Sequence, residues 1–216
     1  MAITLATGTV FAIASTYGTP VNMTAITNAS EAVATLGAGH SVVVGDYLEV
    51  TSGWDRLNSR IVRVKTVATN DITFEGINTA DTSKYPNGTG TGTIRRITAW
   101  SNLSQIQSAS PGGGDVQYQD VTTIADQTQK QVPTTRSPVT LSLTTFDDPS
   151  LAWYSTVRSA AESITPTGLR ITFANGSKLV ANTYWSLQTT PSIASGAPLT
   201  ANIDLSYVAE PVRYAT

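Results

Sequence analysis

The sequence predicts a mainly β protein, a β-sandwich or open barrel with one short α-helix. Residues 139–146 alternate apolar and polar side chains at period two, the pattern of a half-buried strand. Short apolar stretches recur along the chain, parted by turn signals such as Gly45-Asp46, Asn70-Asp71 and Asn87-Gly88. Helical periodicity is clear in one place, where Trp153, Val157, Ala160, Ala161 and Ile164 fall on a single face.

In chain order, residues 5–13 read as a first strand, closed by the turn Tyr17-Gly18-Thr19-Pro20. Strands are expected at residues 21–27, 42–44 with 47–50, 61–67, 72–74 and 93–100, a spacing that suits a small barrel or sandwich. Residues 87–92, Asn-Gly-Thr-Gly-Thr-Gly, read as a mobile loop or hairpin tip. A weak seam near Trp100 separates this part from a second, which opens with the polar stretch 108–114. A strand over 116–124 follows, then a polar connector over 126–137 that is long for a compact domain and so a candidate for function. The strand at 139–146 leads to Asp147-Asp148-Pro149, with Asp148 expected as N-cap and Pro149 in the first turn of a helix over about 148–164. Pro166 and Gly168 stop that helix. Strands are expected at 169–173, 179–187 and 201–208, with a tight turn at Asn175-Gly176. The tail, residues 210–214, is expected to leave the domain.

Composition narrows the function. The chain has 216 residues, 40% of them hydrophobic, which suffices for a real core. Charged residues make up 13%, against a usual share of about 25%. A large β protein with so few charges is either sparingly soluble or buries much of its outside against copies of itself, and the second reading is favoured. A net charge of −2 gives no electrostatic grip on nucleic acid. Zero cysteines exclude disulfides and thiolate metal sites. The opening residues lack the features of a signal peptide, and no apolar run approaches the ~20 residues of a membrane span. A soluble protein folded in the cytoplasm, with no membrane partner, is the expectation.

Chemistry is sparse. His40, the one histidine, cannot make a His-based metal site alone and reads as an exposed loop residue rather than a general base. Asp147-Asp148 reads as a cap rather than a carboxylate pair. Gly112-Gly113-Gly114 lacks the lysine and the strand–loop–helix context of a phosphate loop. Arg95-Arg96 lies in a strand, so the two face opposite sides and form no patch. No catalytic, cofactor-binding or metal-binding residue is expected, and the chain is not expected to be an enzyme. Of the four tryptophans, Trp153 and Trp185 read as core, whereas Trp54, between Gly53 and Asp55, is the candidate exposed surface aromatic. A glycan-binding β-sandwich using Trp54 is therefore an alternative reading.

Taken in order, several features of the second part resemble the tail tube proteins of long-tailed bacteriophages. They are Pro111-Gly112-Gly113-Gly114-Asp115, Asp120-Val121-Thr122-Thr123-Ile124-Ala125-Asp126, the loop with Lys130 and Val132-Pro133-Thr134, and Ser137-Pro138. Residues 139–146, the Asp-Asp-Pro helix start, Leu169-Arg170-Ile171-Thr172-Phe173 and the Asn175-Gly176 turn complete the set. The segment with Ala25-Ile26-Thr27-Asn28-Ala29, Val44-Gly45-Asp46-Tyr47, Leu57-Asn58-Ser59-Arg60 and Phe74-Glu75-Gly76-Ile77 is similar to a small β module of phage structural proteins. Trp54-Asp55-Arg56 stands where that module has a small Gly-rich loop.

The resemblance implies a tail-tube-like domain over 1–20 and 98–216, with an all-β module over 21–97 inserted on the tube exterior. It implies a virion protein that assembles into stacked hexameric rings forming a hollow tail for DNA, or else a single-ring terminator or connector. The implied partners are other copies of the chain, tape measure, tail-tip and terminator proteins, and DNA passing unbound through the lumen. Gln127, Gln129, Lys130, Gln131 and Arg136 are the assembly-loop candidates.

Overall fold

The computed structural model describes residues 6–215. The strands are β1 (Val10–Tyr17), β2 (Val21–Ile26), β3 (Val33–Leu36), β4 (Tyr47–Ser52), β5 (Ile61–Ala68), β6 (Asp71–Phe74) and β7 (Gly92–Leu103). They continue as β8 (Ile106–Gly112), β9 (Val116–Asp120), β10 (Gln131–Arg136) and β11 (Thr140–Phe146). After the helix α1 (Ala152–Ser163) come β12 (Thr167–Thr172), β13 (Lys178–Leu187), β14 (Thr200–Tyr207) and β15 (Val212–Tyr214). The protein is mainly β with one helix.

Pairing runs β2-β3-β6-β5-β4-β7, and β2 also pairs with β7, so these six strands close into a barrel. Leu48, Val50, Ile61, Ile72, Phe74 and Ile94 fill it. From β7 an open antiparallel sheet continues through β1, β12, β13, β14 and β11 to β8. Its apolar face carries Ile13, Leu143, Leu169, Trp185 and Ile203, on which Trp153 and Val157 of α1 pack. Each fully buried aliphatic of this kind contributes about 1.5–3 kcal/mol. β7 runs unbroken past Trp100 and serves both barrel and sheet.

Between barrel and sheet lies a seam of rings and cations. Tyr47 meets Trp100 edge-on at 5.9 Å, and Arg170 stacks over Trp100 at 4.6 Å. Asn182 Nδ2 donates to Glu49 at 3.0 Å, and Glu49 also pairs with Arg95. The Tyr17 hydroxyl accepts from Gly168 N at 2.8 Å, and burial pushes its pKa up to about 12. The C-terminal residues belong to this seam. The expectation that 210–214 leave the domain is corrected: β15 pairs with β13, and the buried Tyr214 hydroxyl accepts from Arg63 N at 2.8 Å.

Other expectations shift for local reasons. The first strand begins at Val10 rather than at Leu5, which lies outside the described residues. Residues 42–44 form no strand, because Val43 N turns to the Asp46 carboxylate at 2.8 Å. β3 was not foreseen; four residues give too little alternation to read. The helix starts at Ala152 with Leu151 at the cap and no side-chain cap bond. Asp148 instead closes a turn on Ser150, accepting from its N at 3.1 Å and its Oγ at 2.6 Å, which holds the carboxyl below its ordinary range. Ile164 ends the helix in the left-handed conformation (φ 49°) and is 76% exposed rather than core.

Candidate assembly surfaces

Residues 108–114, a polar stretch in the sequence, contribute to β8, the last strand of the open sheet. Among the described residues β8 pairs with β11 alone, and six of its seven residues are exposed. Pro111 sits opposite Leu141 with no N–H to give, so backbone groups of its parity, Ala109 included, turn away from β11. A second free edge lies on β13. β12 ends opposite Thr183, so residues 184–187 have β14 on one side and no strand on the other among the described residues. β8, β11, β14 and β13 alternate in direction, and the two free edges therefore run in opposite senses.

The outer face of these four strands is polar. Ser108 and Ser110 on β8, Ser142 and Thr144 on β11, Asn202, Asp204 and Ser206 on β14, and Tyr184 and Ser186 on β13 share it by register. Asp204 is its one charge, and Ser142 Oγ donates to that carboxylate at 2.6 Å. The sequence displayed this surface only as the polar half of each alternation.

β9 and β10 form a separate two-stranded arm with every residue exposed. The connector over 126–137 is thus partly strand, contrary to expectation: an arm strand has no core to face, so it carries no apolar period. Gly113 (φ 70°) stands at its root, where a Cβ would come within 1.9 Å of the Pro138 carbonyl oxygen. Asp126 binds Lys130 and accepts from Thr123 N at 3.0 Å, and both contacts keep its carboxyl below the ordinary range. Gln127 and Gln129 lie at the arm's tip; Gln131 pairs across from Asp120, and Arg136 from Val116 at the root. All five assembly-loop candidates are exposed on this arm, with Tyr118, Ile124 and Val132 exposed beside them.

Trp54 overturns its assignment as an exposed aromatic. Its side chain is buried at 1% exposure, Nε1 donates to the Pro86 carbonyl at 2.7 Å, and Tyr85 meets it edge-on at 5.2 Å. The Asn87–Gly92 segment is no free tip either. Gly90 lies against the indole, where a Cβ would come within 2.6 Å, and Ser52 Oγ donates to its carbonyl at 2.7 Å. Glycines that looked like looseness are there for close approach.

The remaining polar residues are structural. The half-buried His40 joins two loops, Nε2 donating to Thr69 O at 2.9 Å and Nδ1 accepting from Val42 N at 3.3 Å. Arg95 pairs with Glu49 and Arg96 with Asp46, on opposite faces of β7. Among the described residues no group of three or more His, Cys, Asp or Glu comes together, and no helix is long and apolar enough to cross a membrane.

Residues 52–216 match the phage tail tube protein family. Among solved structures, a chain from the virion of a native gene transfer agent particle aligns with a TM-score of 0.43 and 8% identity, covering 54% of this chain and 89% of that one. No curated protein matches.

Proposed function

This chain belongs to the phage tail tube protein family, a structural family of the virion tail, and from that premise we propose that it closes into rings of six copies that stack as the hollow tube for DNA delivery. The observation that carries this reading is the four-stranded sheet β8-β11-β14-β13 with its two free edges in opposite senses. In a ring of like-oriented copies, residues 184–187 of one copy meet β8 of the next as antiparallel neighbours, so each junction is a normal ladder. Closure leaves no open edge, which is how a β protein with an uncovered edge escapes uncontrolled aggregation. Six copies contribute roughly 24 strands, more than the 16–18-stranded barrels that already hold an aqueous channel.

The Ser/Thr/Asn face with Asp204 then lines the lumen. Having no cation there, it offers DNA no counterion-releasing contact and lets the duplex slide. The barrel over residues 21–97 is an insertion on the tube exterior, the β9–β10 arm reaches between copies, and tape measure, tail-tip and terminator proteins complete the tail. Synthesis takes place in the bacterial host cytoplasm. The glycan-binding alternative loses its carrier with Trp54 inside the barrel.

Negative-stain electron microscopy of concentrated protein tests the reading, and uniform rings or tubes are expected. Ala109→Pro, which removes an outward N–H while sparing the ladder to β11, should abolish them without unfolding the monomer. Intact tubes from that variant would refute edge pairing through β8.

A further inference from the structure

The chain carries two Asn-Gly dipeptides, Asn87-Gly88 in the barrel and Asn175-Gly176 between β12 and β13, and the structure holds them in opposite ways. We infer that Asn87 is a site of spontaneous modification: its side chain cyclises onto Gly88 and hydrolyses to aspartate or isoaspartate, while Asn175 stays intact. The reaction needs a single chain and does not depend on ring formation.

The chemistry asks for two free groups. Gly88 N gives its proton to a base in solution and attacks Cγ of the Asn87 amide. A C–N bond forms, and the side-chain nitrogen takes up a proton and leaves as ammonia. Water then opens the five-membered imide at either carbonyl. One opening gives aspartate; the other gives isoaspartate, whose main chain runs through the side-chain carbon. Nothing is oxidised or reduced. Asparagine is among the heat-labile residues, and a following glycine has no Cβ to crowd the approach.

At Asn87 both groups are free. Asn87 and Gly88 are exposed, and among the described residues neither the Asn87 side chain nor Gly88 N has a hydrogen-bond partner. Their turn is closed by Thr89 N donating to Pro86 O at 3.4 Å, longer than an ordinary bond of this kind. The flanks are fixed on Trp54. Tyr85 meets the indole edge-on, Pro86 O accepts from its Nε1 at 2.7 Å, and the buried Gly90 lies against it. Asn87-Gly88 is thus the exposed turn of a segment anchored on both sides.

At Asn175 both groups are engaged. Gly176 N donates to Phe173 O at 2.9 Å. Asn175 Oδ1 accepts from Ser177 N at 3.1 Å and from Ser177 Oγ at 2.7 Å, and Ser177 is itself buried. Cyclisation there must first break these bonds, which slows it about tenfold or more. The product at Asn87 adds a carboxylate to a chain of net charge −2. Its isoaspartate form also lengthens the main chain between Pro86 and Gly90, two residues that meet the Trp54 indole, so the modification acts on the barrel.

Trypsin puts the two sites in separate peptides, 85–95 and 171–178, each with one asparagine. The full chain is held at mildly alkaline pH, native and in urea, then digested and followed by mass spectrometry. In the native protein, peptide 85–95 should gain the mass of an amide-to-acid change at least about tenfold faster than 171–178, as separable aspartate and isoaspartate forms. In urea the two rates should converge. Asn87→Ser, on an exposed residue, should abolish the gain in peptide 85–95. Native rates that are equal, or faster at Asn175, would overturn the inference. So would a native peptide 85–95 that stays unchanged while the denatured one reacts, because the turn would then protect Asn87. A gap as wide in urea would assign the difference to neighbouring residues rather than to the fold and overturn it too.

Discussion

The barrel and the open sheet share β7 yet treat their edges in opposite ways. In the barrel, β2 returns to β7 and every strand has two neighbours. Its interior closes over Trp54, and even its Gly-rich segment is sealed by Ser52 and the indole. The open sheet leaves, among the described residues, one edge of β8 and one edge of residues 184–187 of β13 without a strand beside it, and it exposes an arm. One part is complete by itself. The other leaves edges open, and the proposed ring is what would complete it.

Breaking the barrel should cost stability and nothing specific. Trp54→Ala removes a fully buried ring and its bond to Pro86, a loss of about 3–5 kcal/mol. Thermal unfolding should register it as a large drop in Tm, while whatever protein remains folded still assembles. Assembly lost without a stability loss would mean the barrel takes part in ring contacts. Shortening the arm should do the reverse, and with a smaller effect on stability. Deleting Gln127 to Gln131 removes exposed residues and the Lys130–Asp126 contact, so Tm should stay within a few degrees while tube yield falls. Unchanged tubes would remove the arm from the assembly account.

The two regions also differ in how far the sequence revealed them. Strand alternation showed β4, β5, β11, β13 and β14 close to their true places, because one apolar face per strand is what a half-buried sheet requires. The tail at 210–214 is not legible because three residues of β15 carry no pattern, and it is placed by pairing with β13 and by the bond from Arg63 N to Tyr214. Trp54 was misread because flanking Gly and Asp mark a loop, whereas burial was decided by a segment more than thirty residues away. The arm candidates Lys130 and Arg136 were legible as a long polar stretch. The free edges were not, since an unpaired edge is a property of topology: nothing in Ile106–Gly112 states that, among the described residues, one strand lies beside it.

The central claim is that the free edges of β8 and β13 pair between copies. Hydrogen exchange read by mass spectrometry, on assembled and dispersed protein, tests it most directly. Amides of residues 106–112 and 184–187 should exchange at least tenfold more slowly in the assembly, while β5 in the barrel stays the same in both. Equal exchange at those edges in assembled and dispersed protein would contradict the account.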